Sequence, residues 1–150
     1  MTGSTTAAGT KIALTASLPA TEDAAGYAAL TFTVIGNVES LPAFGPTTAP
    51  IEFQPLDGPK QTHKGPTDYG TIQVPMAFDE DDAGQILLRT AAAPGNNALY
   101  SYLVTYPTGA KRYFQARAMG YPEEPGSATT VIKSTVNIAI NTKVVAVDAP

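Results

Sequence analysis

Apolar and polar residues alternate in several separate segments of this chain, and this period of two constrains the fold more than any other feature. The alternation runs through residues 11–18, 30–34, 51–56, 71–78 and 129–140. Successive side chains of an extended strand point to opposite faces of a sheet, so each segment predicts a strand with one buried face.

Two further segments predict a β-hairpin that is rich in aromatic residues. Residues 100–106 and 111–118 contain several Tyr and Phe residues, and the sequence Pro-Thr-Gly-Ala at 107–110 separates them. A short connection that contains Gly is typical of a hairpin turn, and aromatic residues favour strands. The two segments are therefore predicted to pair as antiparallel neighbours.

Residues 80–93 have the period of a helix instead. Their apolar and small residues recur at intervals of three and four, which predicts one buried stripe on a helix. The stripe consists of Ala83, Ile86, Leu87, Thr90 and Ala91. We predict Asp79 as the N-cap, with the acidic residues after it at the positive end of the helix dipole. Arg89 and the following Pro94-Gly95 pair predict the end of the helix.

Together these segments predict about seven strands and one helix joined by connections of the hairpin type, which favours an antiparallel sheet. The predicted fold class is mainly β: an antiparallel β-sandwich or barrel with one flanking α-helix. At 150 residues the chain is expected to form a single domain, residues 1–150. Residues 1–9, rich in Thr, Ser, Ala and Gly, are expected to form a flexible N-terminal arm.

The segment 57–70 is crowded with Gly, Pro, Asp and Thr and has no apolar period. We predict a long exposed loop there. Structureless connections longer than about 12 residues are uncommon inside a compact domain, and those that occur usually bind something or stay disordered. This loop is therefore a candidate functional element.

Charge and composition exclude several classes of function. The chain has no Cys, which excludes thiol nucleophiles, iron–sulfur clusters and cysteine zinc sites, and its formal net charge of −4 argues against a protein that grips nucleic-acid phosphates. No segment reaches the roughly 18 uninterrupted apolar residues of a membrane helix. Residues 1–9 lack the features of a secretory signal. We expect a protein that is made in a cytoplasm and has no contact with a membrane.

None of the polar clusters predicts a catalytic or metal site. The acidic residues 79–82 lack the spacing of a calcium loop, and helix capping explains them. Glu123 and Glu124 are interpreted as a solvated turn, because adjacent residues do not face each other. His63 is interpreted as an exposed loop residue, since no nucleophile or orienting carboxylate accompanies it. No known catalytic motif is present, so we predict no enzyme activity, cofactor or metal.

A small basic cluster lies among aromatic residues at 111–117. Lys111, Arg112 and Arg117 surround Tyr113 and Phe114, a pattern that superficially resembles a stacking surface for nucleic acid. Three cations in an acidic chain do not form a basic stripe, however. The cluster is better interpreted as a partly exposed strand that contacts solvent or another subunit.

Three short motifs occur in an order that resembles one protein family. They are GY-A-LT-T-V-GNV at 26–38, KG-DYG at 64–70 and D-GQ-LL at 82–88. With the sequence around them they resemble the major tail tube protein of long, non-contractile (siphovirus-type) phage tails, over nearly the whole chain. Some tail tube proteins carry an additional C-terminal immunoglobulin-like domain, so this chain resembles the minimal version.

The resemblance implies a fold, an assembly and a set of partners. In that family the subunit is a β-sandwich with a flanking helix, six copies close into a ring, and rings stack into a hollow tube that conducts DNA during ejection. The tube of type VI secretion has the same plan. The resemblance thus implies a structural virion protein of the tail, whose lumen passes DNA without binding it specifically. Besides further copies of the chain, it implies the tape measure, tail tip and tail terminator proteins as partners.

The same resemblance makes residues 57–70 the counterpart of the long hairpin that joins stacked rings. The candidate contacts between rings or subunits are polar and aromatic residues of this segment, together with the basic pair that opens a later strand. They are Asp57, Lys60, Gln61, His63, Lys64, Asp68, Tyr69, Lys111 and Arg112.

A second hypothesis is a small β-sandwich module that recognises carbohydrate or a host surface. Tyr100, Tyr102 and Tyr106 share one face of a strand and would form its aromatic platform, although such a face more often belongs to a core or an interface. The absence of Trp argues against sugar stacking.

Overall fold

The computed structural model describes residues 6–148, and the strands and helices named here lie within that range. The strands are β1 (Lys11–Thr15), β2 (Thr33–Val34), β3 (Thr47–Phe53), β4 (Gln61–Asp68), β5 (Thr71–Ala77), β6 (Tyr100–Thr105), β7 (Lys111–Gly120), β8 (Glu123–Glu124), β9 (Lys133–Ile140) and β10 (Val145–Val147). The helices are α1 (Ala24–Ala28) and α2 (Ala83–Ala91).

Eight of these strands form one antiparallel sheet. Its order is β2-β1-β6-β7-β9-β5, with β10 paired to β7 and β8 paired to β9, while β3 and β4 form a separate two-stranded sheet. The prediction of a mainly β, antiparallel fold is therefore confirmed. The predicted aromatic hairpin is also confirmed, because β6 and β7 pair from Tyr100 opposite Ala116 to Thr105 opposite Lys111.

One edge of β7 is shared between two successive strands. β9 pairs with the second half of β7 and β10 with its beginning, and both run antiparallel to β7. Between them the chain stays attached to Gln115, whose backbone N–H donates to Thr142 Oγ1 at 2.9 Å and whose carbonyl accepts from Asn141 N at 3.0 Å. β10 therefore continues the path of β9 along the same edge after a short interruption.

The core lies on one face of this sheet, where the alternating residues of the central strands meet α2. Ile72, Val74 and Met76 of β5 are buried as their alternation predicts, and Pro75 occupies the edge strand. At several segment ends the predicted burial is wrong. Leu18 and Ile132 are exposed because β1 stops at Thr15 and β9 starts at Lys133, and Val34 is exposed on the two-residue strand β2.

The helix predicted at 80–93 is shorter than predicted, and a different face of it is buried. It begins after the N-cap Asp82, not Asp79, and Asp82 accepts hydrogen bonds from the backbone N–H groups of Gln85 and Gly36, both at 3.0 Å. Its buried residues are Gly84, Gln85, Leu88 and Ala91. Ile86, predicted to be buried, is 46% exposed, while Leu87 is half-buried against the core.

Gln85 is a fully buried polar residue that ties three segments together. Its Nε2 donates to the carbonyls of Gly36 and Ala77, both at 2.9 Å. Its Oε1 accepts from Asp79 N at 2.9 Å and from the Tyr121 hydroxyl at 3.2 Å. All four hydrogen-bonding positions of the amide are used, so the side chain fixes α2 against the bend after β2 and the end of β5.

We expect Gln85→Leu to lower the free energy of unfolding by about 1 to 3 kcal/mol, because a leucine of similar size leaves the four partners without their hydrogen bonds. The partners are half-buried, so water relieves part of the cost. Urea denaturation of the purified protein measures the change. Gln73→Leu, on the exposed face of β5, is the matched control and is expected to stay within about 0.5 kcal/mol of the wild type. Equal effects of the two substitutions would contradict the role assigned to Gln85.

The segment between β1 and β2 contains the short helix α1. Its N-cap Asp23 accepts from Gly26 N and from the Thr21 hydroxyl, both at 2.8 Å, and these hydrogen bonds hold the pKa of the Asp23 carboxyl below its usual value. Tyr27 of α1 is buried and stacks on Tyr113 at 5.1 Å between ring centroids. Because Tyr113 points away from the core face, α1 covers part of the opposite face of the sheet.

Of the predicted N-terminal arm, residues 1–5 lie outside the described residues. Residues 6–10 line a groove of about 870 Å³ together with residues 38–44 and the turn after β6. None of the helices in residues 6–148 has the length and hydrophobicity needed to cross a bilayer.

Candidate assembly surface

Residues 57–70, predicted to be a long structureless loop, mostly form an extended hairpin strand. β4 takes up residues 61–68 and pairs with β3 from Phe53 opposite Gln61 to Thr47 opposite Asp68, with one irregularity between Thr48 and Pro50. The loop prediction is wrong because the strand has no buried face and so no apolar period. The backbone ladder to β3, instead of burial, holds it extended.

One face of the β3–β4 hairpin carries apolar side chains in contact with solvent. Ile51 lies opposite His63 and Phe53 opposite Gln61, so these four side chains share a face. Ile51 and Phe53 are 52% and 54% exposed, and Leu56 at the tip is fully exposed. We call the exposed apolar side chains Ile51, Phe53 and Leu56 the apolar hairpin face. Large apolar side chains grouped on an exposed element mark a contact surface more often than isolated ones do.

The other face of the hairpin is charged. Glu52 and Lys60 form an ion pair at 2.9 Å between Nζ and Oε1, and both side chains are more than half exposed. Lys64 lies on the same face, opposite Pro50. An exposed ion pair contributes between 0 and about 1 kcal/mol, so this face keeps the hairpin soluble and adds little to its stability.

The base of the hairpin is held to the rest of the domain. Asp68 Oδ1 accepts from the backbone N–H of Gly70 at 2.9 Å, and Gly70 adopts a φ of +83° that suits glycine. Tyr69 is half-buried and packs against the core. The hairpin thus projects from an anchored base.

The structure brings seven of the nine candidate contact residues together on or beside this hairpin. Asp57 lies in the connection between β3 and β4, Tyr69 follows β4, and the others belong to β4 or immediately precede it. They are Lys60, Gln61, His63, Lys64 and Asp68. Lys111 and Arg112 lie elsewhere, at the start of β7 in the main sheet. Arg112 rests over the Tyr106 ring at 5.3 Å and is half-buried, whereas Lys111 is exposed.

Sequence reasoning missed the contribution of β3. The alternation at 51–56 predicts that Ile51 and Phe53 lie on a buried face of a strand. That prediction is wrong, because both side chains are about half exposed and every residue of β3 meets solvent. The strand also begins earlier than predicted, with the adjacent residues Thr47 and Thr48. Threonine favours strands, and this was the available signal for the missing part of β3.

The residues considered for chemistry occupy structural positions. Asp82 caps α2, Asp79 accepts from Asp81 N at 3.0 Å, and Glu123 and Glu124 form the exposed strand β8 instead of a turn. His63 is exposed on β4. Within residues 6–148, no group of three His, Asp or Glu side chains is placed to hold a metal ion.

The carbohydrate-binding hypothesis requires three exposed tyrosines, and this prediction is wrong for two of them. Tyr100 and Tyr102 are buried in the core, and Tyr102 stacks on Phe114 at 5.5 Å between centroids. Burial raises the pKa of the Tyr102 hydroxyl far above its usual value. These tyrosines therefore belong to the core, the more common role of such a face.

The fold built by these elements occurs in known tail-like assemblies. A chain from the six-fold symmetrised electron cryo-microscopy structure of the anti-feeding prophage baseplate matches this chain with a TM-score of 0.70, at 6% identity and over 99% of both chains. This chain shares that fold. A chain from the sheath/tube terminator of the PVC extracellular contractile injection system matches with a TM-score of 0.66, at 9% identity, over 98% of this chain and 99% of that one. No protein-family model and no curated protein sequence matches the chain.

Proposed function

We propose that this protein is a structural subunit that assembles with copies of itself into the tube of a phage-like tail. The observation that carries the proposal is the projecting β3–β4 hairpin with its apolar face in solvent. An isolated two-stranded hairpin is marginally stable in water, and Ile51, Phe53 and Leu56 leave apolar surface uncovered. A neighbouring subunit that covers this surface would stabilise both the hairpin and the assembly.

The fold supports the same proposal. The two similar chains come from a baseplate and a sheath/tube terminator of injection systems, and they match this chain over nearly its full length. The sequence motifs resemble the tail tube subunit of non-contractile tails. Contractile and non-contractile tails both contain a tube. We therefore propose the role of a tube subunit and leave open whether the tail is contractile.

The proposed assembly is a ring of six subunits, with rings stacked head to tail. A head-to-tail contact uses two different patches of the subunit, and it closes into a ring when the rotation permits. Stacking such rings with a constant twist gives an open tube. In this arrangement the hairpin joins one ring to the next, and the tape measure, tail tip and tail terminator proteins are the expected partners in a virion tail.

The net charge of −4 suits a conduit for DNA. Six copies multiply that charge around one ring, and a surface with excess negative charge does not retain phosphates. DNA would therefore pass without specific binding. The proposed role involves no catalytic residue, cofactor or metal.

Negative-stain electron microscopy of the purified full chain tests this proposal. Samples span a concentration series, with and without polyethylene glycol to favour association, and light scattering is recorded on the same samples. We expect rings at intermediate concentrations and hollow tubes at the highest. Monodisperse monomers under every condition would contradict the proposed function.

A further inference from the structure

The face of the main sheet that points away from the core carries two parallel rows of side chains. Register across the strands β2, β1, β6, β7 and β10 places an apolar row side by side: Val34, Ala13, Leu103, Tyr113 and Val145. The next row along the same strands contains Lys11, Thr105, Lys111 and Val147. We call these two rows together the outer sheet face.

Much of the apolar row is covered within the subunit, since Ala13 and Tyr113 are buried. α1 covers the Tyr113 end, and Phe32 packs on the Tyr113 ring at 5.9 Å between centroids. A shallow cavity of about 330 Å³ remains between this row, the residues before β2 and the two lysines. At the β2 end Val34 is 49% exposed. The outer sheet face thus offers an exposed apolar area at Val34 and the half-buried Leu103, on the same face as the two lysines.

The two lysines lie on either side of Thr105. Because neighbouring strands are about 4.8 Å apart, Lys11 and Lys111 start about 10 Å from each other. Both are exposed, and neither takes part in an ion pair among residues 6–148. In a chain that is acidic overall, this is a local concentration of positive charge without an ion-pair partner among the described residues.

The matching negative charge lies in the turn before α2, which Asp82 ties to Gly36 just after β2. Asp82 is occupied as the N-cap, but Glu80 and Asp81 are exposed and form no ion pair within the described residues. The helix packs on the core face, where Leu88 meets the even-numbered side chains of the sheet. No ion pair joins the two patches within the described residues, so both are available to a second subunit.

We propose that the outer sheet face binds the Glu80–Asp81 turn of a second copy of this chain, with Lys11 and Lys111 facing the two carboxylates. This inference rests on the proposed self-assembly and specifies one of its contacts. A contact between two different patches is head to tail, as ring formation requires. Complementary charge gives such a contact its register and its direction, because like-charged placements are unfavourable.

Two other pairs of adjacent acidic residues are exposed, and both are weaker candidates for the same lysines. In the first pair, Asp23 is the N-cap of α1 and Glu22 Oε1 accepts from Gln115 Nε2 at 3.4 Å. Glu123 and Glu124 form β8, and Glu124 lies directly opposite Lys133 in the β8–β9 ladder. That position already has a cation beside it, although the Lys133 ammonium pairs with Glu39 at 3.4 Å. The Glu80–Asp81 turn has no comparable neighbour among the described ion pairs.

Charge reversal in pairs tests the contact. The first variant is Lys11→Glu with Lys111→Glu, the second is Glu80→Lys with Asp81→Lys, and the matched control is Glu123→Lys with Glu124→Lys. We expect each of the first two, alone, to need at least about tenfold more protein than wild type for assembly at 150 mM salt, measured by light scattering. An equimolar mixture of the two should assemble near the wild-type concentration, since every contact in an alternating ring is again complementary.

The outcomes separate this inference from the proposed function. If the wild type forms tubes, three results would overturn the proposed contact alone. They are normal tubes from either reversal variant, no assembly from the mixture of the two variants, and assembly of the lysine variant when it is mixed with the Glu123→Lys, Glu124→Lys control. No wild-type assembly would overturn both. The alternative that the two lysines bind DNA is tested by fluorescence anisotropy with a short duplex DNA. If reversal of the lysines abolishes DNA binding and leaves assembly intact, the lysines face a polyanion and the proposed contact is wrong. Circular dichroism and melting curves establish that each variant is folded.

Discussion

Subunits with a shortened β3–β4 hairpin are expected to fold normally and to form no tubes. In the variant, residues 49–66 are replaced by Asn-Gly, which joins Thr48 to its partner Thr67 through a two-residue turn. No residue of β3 or β4 belongs to the core, so we expect the melting temperature to stay within a few degrees of the wild type. Electron microscopy of both proteins under identical conditions gives the readout.

Paired substitutions show which face of the hairpin makes the contact. Ile51→Ser with Phe53→Ser removes the apolar hairpin face, and Glu52→Ser with Lys64→Ser is the matched change on the charged face. We expect the first pair to reduce tube formation strongly and the second to change it little, because an exposed ion pair contributes little free energy. Normal tubes from the shortened hairpin would show that the rings are joined elsewhere.

The hairpin also shows where sequence reasoning stops. Alternation identifies β5 and β9 because each has one buried face, and it fails for β4 because both of its faces meet solvent. A strand of that kind is held by its backbone ladder to a partner strand, and such a ladder leaves no trace in the period of apolar residues. What covers an exposed face in an assembly is a property of two chains, so one sequence cannot reveal it.

The helix α2 was found from its period, but the rotation of its buried face was not. Counting apolar residues places Ile86 on the buried stripe, whereas the structure buries Gly84 and Gln85. A Cβ added to Gly84 would collide with the backbone at Val34 and Ile35, so the helix lies directly on the chain there. Gln85 is buried because it replaces water for its four partners. A pattern of apolar residues detects neither the close backbone contact at Gly84 nor the hydrogen bonds of Gln85, although both residues belong to the D-GQ-LL motif.

Leu88→Ala is expected to lower the free energy of unfolding by about 2 to 5 kcal/mol. Leu88 has no exposed surface and packs in the core between α2 and the main sheet, so truncation leaves a cavity. Alanine substitutions at Ile86 and Leu87 of the same helix give the comparison. Ile86→Ala should cost less than about 1 kcal/mol because nearly half of Ile86 is exposed, and the half-buried Leu87 should lie between them. Urea denaturation of the three variants gives the order.

That order decides the orientation of the helix. If Ile86→Ala costs as much as Leu88→Ala, α2 is turned as the apolar count suggested, and the buried position of Gln85 is wrong as well. Tube formation by Leu88→Ala below its melting temperature then separates stability from assembly. The hairpin and the outer sheet face do not contain Leu88, so folded subunits of this variant are expected to form tubes at the wild-type concentration.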